Sequence, residues 1–328
     1  MLCWELISET MPERGAQWTN AWQAIMLQDD LPGHLADLAS CVRLVGSALA
    51  DVDDRLMLRV FGRAVDDAAY WQPPSEADHT LAAPPVREAL TPIAELIATS
   101  AAARWWDTAL ERDTQTIVQR EPGTPDLAGI ADKLANWRTR TMDYERQALR
   151  DSPPDPAAAY GGHWWSVPAL VYVPKTTRTI PGTGPVGLAL VEDSLGWSYG
   201  QCWPVSVSLD ARVFEVTSLD SWAELVGRYP LDVPDSRRHD WWRVTGLNEH
   251  WLLPDYVAVA ADYDAIHLTA AAYLSAAGRP VRAGDGFTML AGWDPDQTYW
   301  LNDALLVTGS PQDWQGESRE ADTWHPAP

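Results

Sequence analysis

The sequence predicts an α+β protein: an N-terminal antiparallel helical bundle followed by a mostly antiparallel α+β domain. Three observations carry that prediction. Apolar residues in the first half recur at steps of three and four, the helical period. Short β-type runs set off by turn residues begin only in the second half. Between the two textures lies Asp151-Ser-Pro-Pro-Asp-Pro156, followed by Gly161-Gly162, a stretch of linker composition. A chain of 328 residues has room for two domains. The expected division is a helical domain at 1–150, a linker at 151–162, an α+β domain at 163–308 and a polar, fraying tail at 309–328.

The clearest periodic signal is Leu35, Leu38, Val42, Val45, Leu49, Val52 and Leu56, one apolar face of a helix that Gly46 and Asp51-Val-Asp-Asp54 are placed to interrupt. Val86, Leu90, Ile93 and Ile97 predict a second helix, entered through Pro84-Pro85. Leu127, Ile130, Leu134 and Trp137 predict a third. In the second half, strands are expected at 169–173, 186–191, 205–209, 212–217, 265–269, 287–291 and 297–301. Helices are expected at 221–228 with Ser218 or Asp220 as N-cap, at 255–263 behind Pro254, and at 270–277 with Gly278 as its stop. Gly292-Trp-Asp-Pro-Asp-Gln297 has the composition of a hairpin loop.

With 46% hydrophobic and 21% charged residues the chain is that of a folded protein. No apolar run reaches membrane-spanning length, and the first residues lack the basic-then-apolar order of a secretory signal. The formal net charge of −22 argues against a duplex nucleic acid or an anionic membrane as partner, since both need a basic footprint. Cys3, Cys41 and Cys202 have the spacing of neither a disulfide framework nor a metal site, so a reducing cytoplasm is the expected compartment. Nineteen tryptophans against three phenylalanines are the unusual feature, several of them adjacent pairs. Most suit packing; the outward member of 164/165 and of 241/242 is the better candidate for touching a ligand or partner.

Chemistry-bearing residues are densest in Ser236-Arg-Arg-His-Asp-Trp-Trp-Arg243, read as a charged loop, and in Asp262-Tyr-Asp-Ala-Ile-His267. An aspartate and a histidine three apart can meet at the mouth of a strand, where the carboxylate orients the imidazole as a base. Gly182-Thr-Gly-Pro-Val-Gly187 matches a phosphate-loop pattern, but no helix start follows it, so it reads as a turn. No metal-ligand spacing occurs.

Two family resemblances follow from these blocks. Val191-Glu-Asp-Ser-Leu-Gly196, Gly246-Leu-Asn-Glu249 and Asp264-Ala-Ile-His267 resemble, in order, the blocks of the SGNH hydrolases. Glu192 replaces the family's glycine, and the gap from Asn248 to His267 leaves no room for its β/α units, so the match is set aside. Arg212-Val-Phe-Glu-Val216 and the helix after it resemble a strand–helix step of the NAD-consuming ADP-ribosyltransferases. That resemblance implies a compact domain over about 160–305 that splits the nicotinamide–ribose bond of NAD. It implies an acid from among Glu215, Asp264 and Asp296; His267, from the Asp–His spacing above, is the further catalytic candidate. It also implies Arg178 or His163 as dinucleotide anchor; Trp165 and Trp242 from the paired indoles, and Arg238 from the charged patch, are the further candidate cofactor contacts. The family's Glu-x-Glu pair is absent; a Gln-x-Glu variant, Gln315-Gly-Glu317, falls in the polar tail. The expected partner is therefore a small nucleotide, with NAD as co-substrate. The alternative is a non-enzymatic protein–protein interaction module with exposed indoles as anchors and an acidic rim.

Overall fold

The computed structural model of the chain describes residues 1–10, 31–46, 52–169, 171–194, 196–316 and 323–328. It mixes helix and strand, an α+β protein, and divides into two compact units.

The first unit, 1–68 with 74–105, contains the helices α1 (Leu2–Thr10), α2 (Leu31–Gly46), α3 (Asp54–Asp66), α4 (Glu76–Ala82) and α5 (Pro84–Thr99). The long apolar seam is not one helix. Asp53 accepts a hydrogen bond from the Leu56 N–H and caps a new helix there. Leu38 and Val42 are buried on α2. Leu49, Asp51 and the Val45 side chain lie outside the described residues. Leu38 and Val42 on α2, and Val86, Ala89, Ile93 and Ile97 on α5, form the buried faces of two packed helices. Met57, Val60 and Phe61 of α3 are buried in the same unit, and α3 packs on α1.

The second unit, 69–73 with 106–328, is built on a ten-stranded sheet. Its elements begin with β1 (Gln115–Gln119), α6 (Ile130–Asp151), β2 (Lys175–Ile180), β3 (Gly184–Pro185), β4 (Tyr199–Val207) and β5 (Val213–Val216). Then come α7 (Leu219–Arg228), β6 (Pro230–Asp232), α8 (Pro234–Thr245), β7 (Leu252–Pro254), α9 (Tyr256–Asp262), β8 (Ala265–Leu268) and α10 (Ala270–Ala276). The chain ends with β9 (Pro280–Ala283), β10 (Gly286–Met289), β11 (Thr298–Trp300), β12 (Leu305–Val307), β13 (Gln312–Gly316) and β14 (Trp324–Pro326). The main path runs β14-β13-β4-β1-β2-β11-β8-β5, with β12 on β4 and β3 on β2. Every pair in it is antiparallel except β5 with β8. Ile117, Val205, Ala265, Trp300 and Leu305 pack in one buried cluster of this unit.

Several expectations change against this architecture. The contact division falls at Trp105/Trp106, not at 150. The predicted third helix, α6, buries Ile130, Leu134 and Trp137 and packs against α8 and α9 of the second unit. The 151–162 stretch is tied down by α8: Arg238 donates to the Pro153 carbonyl and Arg243 to that of Tyr160. Within the 309–328 tail, 312–316 and 324–326 are the strands β13 and β14 of the sheet, in place of the expected fraying. Residues 169 and 171–173 are irregular; the strand starts at Lys175, where Thr176, Thr177 and Thr179 suit a pleated surface. Val186–Leu188 is a 3₁₀ turn rather than a strand. The 292–297 loop is no hairpin: β10 pairs with β9, whereas β11 lies between β2 and β8. The 236–243 patch is helix, not loop. Pro234 sits in the first turn of α8, and Gly246 ends the helix in the left-handed region at φ 69°.

The helix starts nearest the site follow the expected chemistry. Ser218 and Ser221 form a reciprocal cap on α7, Asp255 caps α9, and Thr269 caps α10.

Candidate functional site

Parallel pairing of β5 with β8 sets Glu215 opposite His267. On the other side of β8, Thr298 of β11 pairs with His267 and, across β11, with Thr176 of β2. That register brings Arg178, two residues along β2, to the same part of the sheet. Asp296 enters from the loop before β11, at a positive φ of 54° that aspartate tolerates better than most residues.

These four side chains form one continuous polar chain. His267 Nδ1 lies 2.6 Å from Glu215 Oε2, and its Nε2 lies 3.4 Å from Asp296 Oδ1. Asp296 Oδ1 accepts from Arg178 Nε at 2.6 Å, and its Oδ2 accepts from the Arg178 backbone N–H at 3.0 Å and from the Thr177 hydroxyl at 3.4 Å. The Leu110 N–H donates to Glu215 Oε1 at 3.0 Å, and Arg178 donates to the Thr108 hydroxyl at 2.9 Å.

His267 and Asp296 are buried. Burial alone would lower the His267 pKa, but hydrogen bonds to Asp296 and Glu215 outweigh it and raise the pKa to about 8. At neutral pH the ring is an imidazolium donating from both nitrogens, and the chain alternates acid, base, acid, base with no net charge. The Glu215 side chain is 26% exposed, so the solvent-facing end of the chain is a carboxylate with both oxygens held by N–H donors. A carboxylate fixed in this way is suited to stabilising positive charge that develops beside it.

Among the residues predicted from sequence, Glu215, His267, Arg178 and Asp296 are thus brought together. Asp264 is not among them. An odd separation along a strand turns two side chains to opposite faces, so Asp264 and His267 diverge. Asp264 instead accepts from the Arg212 backbone N–H at 2.7 Å, pairs with the Arg212 guanidinium, and accepts from Asn302. Burial pushes its carboxyl up, but those hydrogen bonds prevail and hold it below the usual range.

The other predicted cofactor contacts lie around α8. The His163 ring lies tilted against Tyr144 with centroids 4.3 Å apart, and burial beside the Arg237 charge lowers its pKa to about 4. Arg238 is paired with Asp235 one turn away. Trp165 is 46% exposed, its carbonyl held by Arg237 at 3.1 Å, while Trp242 is half-buried on the helix. No described hydrogen bond or ion pair joins His163, Trp165, Arg238 or Trp242 to the Glu215–Arg178 chain.

Sequence reading missed Thr108, Leu110 and Thr177, which hydrogen-bond directly to Arg178, Glu215 and Asp296. Only Thr177 had a signal: it flanks Arg178 on a threonine-rich strand. Among the described residues, no group of three or more His, Cys, Asp or Glu side chains is arranged to hold a metal ion. No helix among them is long and apolar enough to cross a membrane. Comparison of the chain with protein-family models, curated proteins and solved structures found no match.

Proposed function

We propose that the second unit catalyses ADP-ribosyl-type transfer or glycohydrolysis, with NAD as the nucleotide co-substrate. The observation that supports this reading is the meeting of Glu215, His267 and Arg178, three residues distant in sequence, in one hydrogen-bonded chain. In the reaction the bond between nicotinamide and the ribosyl carbon breaks, nicotinamide leaves with the bonding pair, and water or an acceptor hydroxyl takes its place. The oxocarbenium-like state between these events carries positive charge. Glu215 is the residue to stabilise it; His267 holds that carboxylate in place and keeps its neighbour Asp296 neutralised.

The role of Arg178 is narrower than a grip on phosphate. Its side chain is only 7% exposed and is committed to Asp296 and Thr108, which makes it a positioning residue. Free thiols at Cys3, Cys41 and Cys202 fit a reducing, cytoplasmic setting.

The test is nicotinamide release from NAD by the purified full-length chain, followed by chromatography. Release is expected, and Glu215→Gln is expected to lower it by about 100-fold or more, the scale of losing one electrostatic stabiliser. No release, together with no thermal stabilisation by NAD, would overturn the reading.

One observation favours a second reading, an interaction surface. The exposed Trp165 indole rests on a backbone fixed by Arg237, as an interface anchor would. In that case a defined partner co-purifies with the chain and is lost in Trp165→Ala, whereas Glu215→Gln retains it.

A further inference from the structure

A cleft of about 110 Å³ opens beside β1 and β2, lined among others by Arg120, Lys175, Thr177, Trp197, Asp294 and Gln297. None of these residues was singled out for a ligand above. That volume is room for one small ring and not for a dinucleotide.

Its wall is a presented indole. The Arg120 guanidinium lies 5.0 Å from the Trp197 ring and 5.2 Å from the Trp324 ring, and its NH2 group is anchored to the Gly187 and Leu188 carbonyls at 2.9 and 3.1 Å. Burial draws its pKa down to about 10, so it remains a cation at neutral pH and stacks on both rings. Trp197 is thereby fixed while 40% of it stays exposed.

The floor is a pair of acceptors. Asp294 accepts from Gln297 Nε2 at 2.9 Å and from the Glu192 N–H at 3.0 Å, with the Lys175 ammonium at 3.7 Å. Gln297 is 8% exposed, and its Oε1 has no hydrogen-bond partner. A buried carbonyl oxygen left without a donor is costly, so a small turn of the Gln297 side chain toward an incoming O–H or N–H would be favourable.

We propose that this cleft binds a single aldose ring. The ring's C–H face covers the Trp197 indole, two neighbouring hydroxyls donate to Asp294 and Gln297 Oε1, and Lys175 donates to a third oxygen. The proposal stands on the cleft alone: a chain that releases no nicotinamide from NAD is still expected to bind the sugar.

The test is saturation-transfer NMR and calorimetry on the full chain with D-ribose, ribose 5-phosphate and adenine as probes. Saturable binding of D-ribose is expected, weakened by about tenfold or more in Trp197→Ala and in Gln297→Leu, each variant first shown to unfold cooperatively. Binding of ribose 5-phosphate but not D-ribose, with the same loss in both variants, identifies a sugar phosphate as the source of the ring. Failure of both sugars, binding of adenine alone, or sugar binding untouched by either substitution would overturn the proposal.

Discussion

At the scale of single residues, His267 governs the pH behaviour. Its pKa rises from the ordinary 6.5 to about 8 on folding, because two carboxylates that accept its hydrogen bonds outweigh its burial. The folded state therefore binds a proton that the unfolded state releases sooner. The resulting stabilisation is complete below about pH 6.5 and is lost as pH rises through about 8, a change of about 2 kcal/mol. Glu192, pushed up to about 8 by burial and by Asp294, acts in the same direction from a lower starting pH. Urea titrations should show the unfolding midpoint falling across this window, and His267→Gln should flatten the part above pH 6.5. A midpoint that is constant or rises there would contradict the assignment of charge. The residue types of the chain were legible in sequence: a glutamate and a histidine on β-type runs, an aspartate in a turn and an arginine near the first strand. Its geometry was not, because which strands become neighbours depends on pairings between segments far apart in the sequence. Asp264 illustrates the limit: close in sequence to His267, it is turned away from it by the strand's two-residue period.

At the scale of elements, α8 shows how a helix escapes pattern reading. Its buried positions include Ser236, Arg237 and His239, so no apolar stripe announces it. Its punctuation was visible in Pro234 and Gly246, but the partner of its first turn was not. Glu145 on α6 accepts from the Asp235 and Ser236 N–H groups at 2.7 and 2.9 Å, doing from another helix what a local cap does elsewhere. Glu145→Ala should cost about 2 kcal/mol, read by chemical denaturation, because it leaves two N–H groups at a packed helix start without an acceptor. An unchanged midpoint would mean that water replaces the carboxylate there. By contrast α7, α9 and α10 were readable within a residue or two, since each is started by a local cap: Ser218, Asp255 and Thr269.

At the scale of the whole molecule, the sequence texture and the contact division disagree. The proline-rich stretch after α6 reads as a boundary, yet β1 inserts between β4 and β2, and α6 packs on α8 and α9. A β-strand of five residues, Gln-Thr-Ile-Val-Gln, is too short to stand out amid helical sequence, and only its pairing shows which unit owns it. The fragment 106–328 should therefore unfold cooperatively on its own, whereas 151–328, which lacks a central strand, should not. Cooperative unfolding of the shorter fragment would restore the boundary at 150.

The claim on which the account turns is that Glu215, His267, Asp296 and Arg178 act as one charged chain. Nitrogen-15 NMR of the His267 ring tests it most directly. The account predicts an imidazolium at pH 7 with a titration midpoint near 8, lowered in Asp296→Asn. A ring that is already neutral at pH 6, or a midpoint indifferent to Asp296, would contradict it.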